Sequence, residues 1–228
     1  MAELHIQFDI GTLEMNRSPV TQVPTETWVT ATWDDYLRAL EDPACEKAKS
    51  YYYNGQMRIE MSPVGNDHSR DHSIVIHAVY LFAGLREIDL DGHDNCTYRK
   101  TGVSDVQPDV SFYIGETAEA IPWGTGIVDL NQYPPPPLIV EVANTSLADD
   151  KGNKRLLYEE LGVSEYWIID VQHVKVIAFA VENSGSRRIR QSQVLPGLEI
   201  SLLEEAFQRT RQMNHGKVSA WLLAQWQG

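Results

Sequence analysis

The sequence is poor in cysteine, in basic residues and in long apolar runs, and each shortage closes off a class of protein. Only Cys45 and Cys96 occur, 51 positions apart, so neither a disulfide scaffold nor a four-cysteine zinc cluster can be built. A reducing cytoplasm is the compartment this implies. No stretch comes near the roughly 18 consecutive apolar residues of a membrane-spanning helix, so no membrane partner is expected. Residues 1–16 carry Glu3, Asp9 and Glu14 in place of a basic and then apolar leader, so no secretory signal is expected. Lys and Arg number 19 against 32 Asp and Glu, a formal charge of −13. The shortage of bases is local: residues 101–150 hold eight acids and no Lys or Arg, whereas 151–228 hold eight acids and ten bases. Such a pattern is either a solvated acidic face or a cation site beside an anion-facing surface.

What is present suffices for a core. The 228 residues are 43% hydrophobic, and six Trp, ten Tyr and five Phe run along the whole length, which argues against a long disordered tail. Residues 1–31, broken by Pro19 and Pro24, read as an arm, 32–205 as the main domain and 206–228 as a helical extension. Thr32 caps a helix whose Trp33, Tyr36, Leu37 and Leu40 fall at helical spacing up to Asp42-Pro43. Tyr51-Tyr52-Tyr53, Asn54-Gly55 and Gln56–Met61 make an N-terminal hairpin, because Asn-Gly accepts both positive φ angles of a type I′ turn. Pro63 and Gly65 end its second strand. Ile74, Val75, Ala78, Leu81, Phe82 and Leu85 predict a helix from Asp67 of about four to five turns, packed across a sheet.

Asp89–Asn95 reads as a polar turn, followed by strands at 96–100 and 106–114, the latter alternating Val106, Pro108, Val110, Phe112 and Ile114 against Asp109, Ser111 and Tyr113. Residues 115–137, with three Gly and five Pro, form a long loop. Leu138–Val142 is apolar apart from Glu141, the pattern of a central strand buried on both faces. A helix from about 149 to 161 stops at Gly162. Strands follow at 165–170, 173–180 and 187–194, and the chain is helical from Leu202 with a break at Asn214-His215-Gly216.

Glu141 is the first residue to carry chemistry. A carboxylate in the middle of an apolar strand needs a cation, a donor cluster or a proton, since burying it unpaired costs several kcal/mol. Asp109 poses the same question 32 residues upstream, in a strand whose other face is apolar. If the two strands are neighbours, their carboxylates converge at metal-ligand range, and two hard oxygen donors with open water positions suit Mg²⁺. Lys154, 13 residues after Glu141 and one turn into the next helix, can swing its ammonium back over the strand end. There it would orient an attacking water and offset charge on phosphoryl oxygens. Tyr158, four residues on, shares that helical face.

At these residues the sequence resembles a known family. Gln107-Pro108-Asp109-Val110, Leu138-Ile139-Val140-Glu141-Val142, Lys154-Arg155-Leu156-Leu157-Tyr158 and the run from Gly162 to Asp170 look like the signature of the "putative restriction endonuclease" family, formerly domain of unknown function eight-twenty. Tyr53-Asn54-Gly55-Gln56, Met61-Ser62-Pro63, His68 and Leu195-Pro196-Gly197-Leu198 match its general pattern, so that the resemblance covers roughly residues 30–205. Such proteins are assigned to the PD-(D/E)XK nuclease superfamily. The resemblance implies an α/β fold of the α+β kind: a restriction-endonuclease-like core with a mixed sheet flanked by helices, and a divalent metal on the two acids. The superfamily usually places its Lys two residues after the second acid, where Ala143 stands here; the resemblance supplies a lysine moved to the following helix, which matches Lys154. The family often has a Glu four residues before the hairpin Gly, where Tyr51 stands, and Glu60 in the next strand either replaces it or faces solvent. His68, at a helix start, either contacts substrate or water or is structural.

The expectation is therefore a Mg²⁺-dependent DNA endonuclease, with Mn²⁺ as a substitute. Asp109, Glu141 and the Val142 carbonyl would hold metal, Lys154 would position the attacking hydroxide, and the products would be a 5′-phosphate and a 3′-hydroxyl. With a charge of −13, DNA binding should be weak and salt-sensitive. Arg99, Lys100, Lys151, Arg155, Arg187, Arg188 and Arg190 are the available bases. A homodimer is expected because this fold commonly pairs subunits to cut both strands, with the arm and Trp221 and Trp226 as interface. Two alternatives stand beside it: a nuclease fold kept as a binding or assembly module, and a metal-dependent hydrolase of a small phosphorylated substrate.

Overall fold

Thr32 opens the first helix through a reciprocal cap. In the computed structural model, which describes residues 23–61 and 65–227, its hydroxyl accepts from the Asp35 amide at 3.1 Å. The Asp35 carboxylate in turn accepts from the Thr32 amide at 3.0 Å. Strand β1 (Trp28–Thr30) leads into helix α1 (Trp33–Leu40), and the hairpin follows as β2 (Lys49–Tyr53) and β3 (Gln56–Glu60). Asn54 and Gly55 take φ of 50° and 69°, the type I′ pair the Asn-Gly dipeptide predicts. Most of the expected arm (residues 1–22) and Pro63 lie outside the described residues. From Trp28 the chain is part of the fold, since β1 pairs with β3.

The remaining elements are α2 (Asn66–Leu85), β4 (Leu90–Asp94), β5 (Tyr98–Lys100), β6 (Ser104–Val106), β7 (Val110–Ile114), β8 (Val128–Asp129), β9 (Leu138–Ala143), α3 (Leu147–Lys151), α4 (Asn153–Leu161), β10 (Glu165–Asp170), β11 (Lys175–Glu182), β12 (Gly185–Arg188), α5 (Ile200–Thr210) and α6 (His215–Gln227). Among the described residues the strands form two six-stranded sheets rather than one, ordered β1-β3-β2-β6-β5-β8 and β12-β11-β10-β9-β7-β4. Both are mixed: β9 runs parallel to β10, and β5 parallel to β8, while the other pairs are antiparallel. The α/β class expected from the sequence is the class observed.

Strand β9 is buried on both faces, and its period of two sorts the core. Leu138, Val140 and Val142 join Ile74, Phe82, Phe207 and Trp226 from α2, α5 and α6. Ile139 and Ala143 face a second core with Tyr51 and Tyr98 of the first sheet and Leu157 and Tyr158 of α4. Glu141 lies between these two and so enters the second core, which joins the sheets.

Several expected elements change, each for a local reason. The strand read over 106–114 is two, because Pro108 has no N–H to continue a ladder; β6 pairs in the first sheet and β7 in the second, and Gln107-Pro108-Asp109 carries the chain between them. Asp89–Asn95 contains β4, an edge strand whose polar face hid it from a hydrophobicity reading. It is tied down by Tyr80, whose hydroxyl accepts from the Gly92 amide at 3.0 Å. The helix over 149–161 breaks at Gly152 into α3 and α4, and Gly162 ends it at φ 77°. Asn183 and Ser184 take positive φ as a two-residue turn, so the last strand lies at Gly185–Arg188 instead of 187–194.

Helix α5 runs across position 206, and Phe207, Leu222 and Trp226 share one core with α2. Trp226, expected at a subunit interface, is 6% exposed and meets Phe82 edge-on with ring centroids 5.2 Å apart; it is core. Trp221 is half-buried under the Arg209 guanidinium, 4.2 Å from its ring centroid. No helix among the described residues is long and apolar enough to cross a membrane.

Phe82 is fully buried between α6 and the second sheet. Truncation by Phe82→Ala is expected to cost about 3–5 kcal/mol, lowering the urea midpoint with the slope unchanged. A loss under about 1 kcal/mol would mean that α6 is not part of this core.

Candidate active site

The site starts from the interruption at Pro108. Pairing of β7 with β9 ends at Val110 and Val140, leaving the Val142 amide without a rung. The Asp109 side chain supplies one: its Oδ2 accepts from the Val142 N–H at 2.6 Å. The Asp109 N–H in turn points at Glu141 Oε2, 3.4 Å away. In an extended strand a residue's N–H and C=O face the same side, so the Val142 carbonyl is directed toward Asp109 as well.

Glu141 collects its partners from three other elements. Its Oε1 accepts from the hydroxyl of Tyr158 on α4 at 2.6 Å and lies 3.3 Å from the Tyr51 hydroxyl on β2, whose single proton has its shorter contact, 2.9 Å, with the Gln107 carbonyl. Lys154 Nζ lies 3.8 Å from the same oxygen, 3.0 Å from Glu60 Oε1 and 3.1 Å from Asp150 Oδ1, and 4.3 Å from the centroid of the Tyr51 ring. Arg58 Nε holds the other side of this chain of charges, 2.8 Å from Glu60 and 3.2 Å from Asp149. On the Asp109 side, Lys49 Nζ pairs with Oδ1 and His68 Nε2 lies 3.4 Å from Oδ2, while His72 Nε2 meets the Asp109 carbonyl at 3.1 Å. Asp109, Glu141 and Lys154 are 4%, 2% and 1% exposed.

A cleft of about 240 Å³ is lined by Glu60, His68, Asp109, Glu141, Val142 and Lys154, together with Lys49, Glu26 and the Asn144-Thr145-Ser146 turn. Six of the seven residues singled out from sequence thus line one cleft. The seventh, Tyr158, is fully buried behind Glu141 and acts only through its hydroxyl. Glu60 turns inward to Lys154 instead of facing solvent. Lys49, Tyr51, Arg58 and Asp150 were not foreseen. Strand alternation puts Lys49 beside Tyr51 and Arg58 beside Glu60, and Asp150 precedes Lys154 by the four residues of a helical ion pair, yet such spacings recur along any surface. None of the seven bases proposed for DNA contact lines the cleft: Arg99 pairs with Asp105, and Arg155 and Arg188 lie over the Phe179 ring.

The electrostatics divide the two acids. Burial alone would raise the Asp109 carboxyl, but the His68 hydrogen bond and the Lys49 charge outweigh it and hold the group far below the usual carboxylate range. Burial pushes Glu141 up to about 8; Lys154 opposes this and the Asp109 charge adds to it. Lys154 would be lowered by burial, yet Glu141, Asp150 and Glu60 together keep it well above the ordinary lysine value. Glu60 is held below its ordinary value, since Lys154 and Arg58 overcome its burial.

The sequence profile described as "Uma2: Putative restriction endonuclease" matches residues 33–218, a span that contains every residue of this cleft except Glu26. The chain belongs to the Uma2 family. Among solved structures, a "putative nuclease belonging to DUF820" from Anabaena variabilis ATCC 29413 is similar, with a TM-score of 0.51 and 17% identity over 84% of this chain and 99% of that one. At that identity the likeness shows a shared fold. No curated protein matches the chain.

The donor set of this Uma2 protein fits a hard divalent cation. Among the described residues no group of three or more His, Cys, Asp or Glu forms a metal cage. Mg²⁺, however, is commonly held by one or two carboxylates while it keeps several waters. Asp109 is ionised and now balanced by the Lys49 ammonium, and Glu141, pushed upward by burial, has its nearest cation at 3.8 Å and shared with two other acids. Glu141 is therefore the under-compensated acid of the pair, and a cation would take over the charge of Lys49 at Asp109.

Lys154 neutralises three carboxylates at once, which sets a test. Lys154→Met should destabilise the metal-free protein by about 3–5 kcal/mol at pH 8. Glu141 and Asp150, which burial already raises, would rise further without the lysine, so the variant's native state would bind more protons than the unfolded one and its stability would rise as pH falls. Urea unfolding at pH 8 and pH 5 should show the deficit narrowing in acid; an equal deficit at both would refute the network.

Proposed function

We propose that the protein is a Mg²⁺-dependent endonuclease that hydrolyses phosphodiester bonds of DNA, with Mn²⁺ able to substitute. The observation that carries this reading is the meeting of Asp109, Glu141 and Lys154, from a loop, a strand and a helix, in one cleft. Asp109, Glu141 and the Val142 carbonyl would hold the cation. When bound, it supplies Lewis acidity, lowering the pKa of water and neutralising phosphate oxygens. Lys154 orients the attacking water and offsets charge on the phosphoryl group as the bond to the 3′ oxygen breaks, leaving a 5′-phosphate and a 3′-hydroxyl. Tyr158 fixes Glu141 Oε1 by a hydrogen bond, and Oε2 has only the long contact with the Asp109 N–H at 3.4 Å. Lys49 and His68 keep Asp109 ionised. Cutting both strands takes two sites, so a homodimer belongs to the proposal.

A second reading, a nuclease fold retained for binding with little turnover, is favoured by one observation: the Lys154 ammonium is nearer to Glu60 and Asp150 than to Glu141. The test incubates plasmid and single-stranded DNA with the full chain and Mg²⁺ or Mn²⁺. Asp109→Asn and Lys154→Ala, each checked for folding by its thermal midpoint, are expected to lose about 10²-fold or more in rate. Equal degradation by the wild type and both variants would mark contamination and overturn the proposal. Cation binding by a folded wild type that cuts nothing would favour the second reading.

A further inference from the structure

Two lysines line the acidic cleft, and they are held in different ways. Lys154 is 1% exposed, lies 3.0 Å from Glu60, 3.1 Å from Asp150 and 3.8 Å from Glu141, and sits over the Tyr51 ring. Moving it would strand three carboxylates. Lys49 is the first residue of β2, its side chain keeps 18% exposure, and its ammonium is paired with a single carboxylate among the described residues, at Asp109 Oδ1. We infer that Lys49 is a built-in stand-in for the divalent cation: its ammonium holds the cation's place at Asp109 Oδ1 and moves aside into a neighbouring cleft when the cation enters, so that the site fills only by exchange. The inference rests on the metal-dependent reading given above and concerns how that site is regulated.

The contacts of Asp109 make the exchange necessary. Its Oδ2 already accepts from the Val142 N–H at 2.6 Å and lies 3.4 Å from His68 Nε2, so the oxygen left for a metal is Oδ1, where Lys49 sits. An ammonium and a divalent ion on one oxygen would stand only about 4–5 Å apart, where the repulsion felt by the ammonium exceeds its attraction to one negative charge. The lysine also has somewhere to go. A second cleft of about 310 Å³ opens on the other side of Asp109, shares Lys49, His68 and Asp109 with the first, and carries the Glu46 carboxylate. The unbranched four-carbon stem of a lysine lets the ammonium swing from one cleft to the other. The Val142 N–H keeps Asp109 in place meanwhile. A buried carboxylate is thus satisfied in both states, by one ammonium or by one divalent ion, and the fold does not depend on the metal.

The experiment uses the full chain with Mn²⁺ as the probe. Acetylation of each lysine by a water-soluble acetyl ester is followed by peptide mass spectrometry with and without Mn²⁺, and Mn²⁺ binding to the wild type, Lys49→Met and Lys49→Arg is measured by calorimetry. Mn²⁺ should speed acetylation of Lys49 about tenfold and leave Lys154 protected, and Lys49→Met, freed of the competing charge, should bind Mn²⁺ about tenfold more tightly than the wild type. Lys49→Arg, which keeps the charge, should show no such gain. The labelling is done on the wild type, so it decides the matter even if Lys49→Met fails to fold. Lys49 acetylation that is unchanged or slowed when Mn²⁺ binds, no gain in affinity for a folded Lys49→Met, or an equal gain for Lys49→Arg would overturn the exchange. No Mn²⁺ bound by either the wild type or Lys49→Met would overturn it together with the metal site. Cleavage of DNA is followed in parallel: exchange without cleavage removes the nuclease reading alone, and divalent-dependent cleavage with Lys49 unmoved removes the exchange alone.

Discussion

A carboxylate sits in the middle of β9, a strand covered by core on both faces, and most of what surrounds the cleft is a response to it. Glu141 cannot be desolvated alone without a cost of several kcal/mol. The compensation comes from places far apart in the chain: a phenol from β2, a phenol and an ammonium from α4, and an amide from the link between β6 and β7. Each donor requires its element to be docked, so satisfying one side chain ties both sheets and α4 together. The second core and the site are in this sense one construction, with Tyr51 and Tyr158 belonging to both.

Glu165 shows that a buried strand glutamate need not be a site. It is fully buried in β10, next to β9, and burial raises its pKa too. It accepts from the Trp167 indole at 2.8 Å, the Ser192 hydroxyl at 3.0 Å and the Val194 amide at 3.1 Å, as well as from the Gln193 amide. Neutral donors satisfy it from within, and it does not line the acidic cleft. Glu141, by contrast, has one oxygen held by the Tyr158 hydroxyl and the other met only by a long amide contact, and it lines the cleft beside an ionised aspartate. The difference lies in the type and completeness of the partners, not in burial.

The charges around Lys154 form an alternating chain, Asp149, Arg58, Glu60, Lys154 and Asp150, extended by the Trp28 indole on Asp149 at 2.5 Å and the Ser146 hydroxyl on Asp150 at 2.6 Å. Buried ions are tolerable when each has a partner of opposite sign, and removing one exposes the desolvation cost of the rest. The same arrangement keeps Lys154 ionised and confines it within reach of Glu141. Asp150 and Lys154 keep the four-residue contact of a helical ion pair even though the break at Gly152 puts them on different helices.

The sequence by itself determined what depends on a few adjacent residues. Asn54-Gly55 dictated the hairpin, Thr32 and Asp35 the cap of α1, Gly162 the end of α4, and a single acid in an apolar run marked Glu141, because dihedral preference, a local hydrogen bond and a missing Cβ act within a turn or two. It also pointed to Asp109 and Lys154 and to the family. Only the tertiary structure decided that Pro108 splits one apparent strand between two sheets, that polar Leu90–Asp94 pairs as an edge, that Lys49 and Tyr51 meet the acids, and that Asp150 meets Lys154. Those choices pair groups up to 90 residues apart. No periodicity marks which of many lysines, tyrosines and aspartates will meet, since the selection is made by the packing of whole sheets and helices against one another.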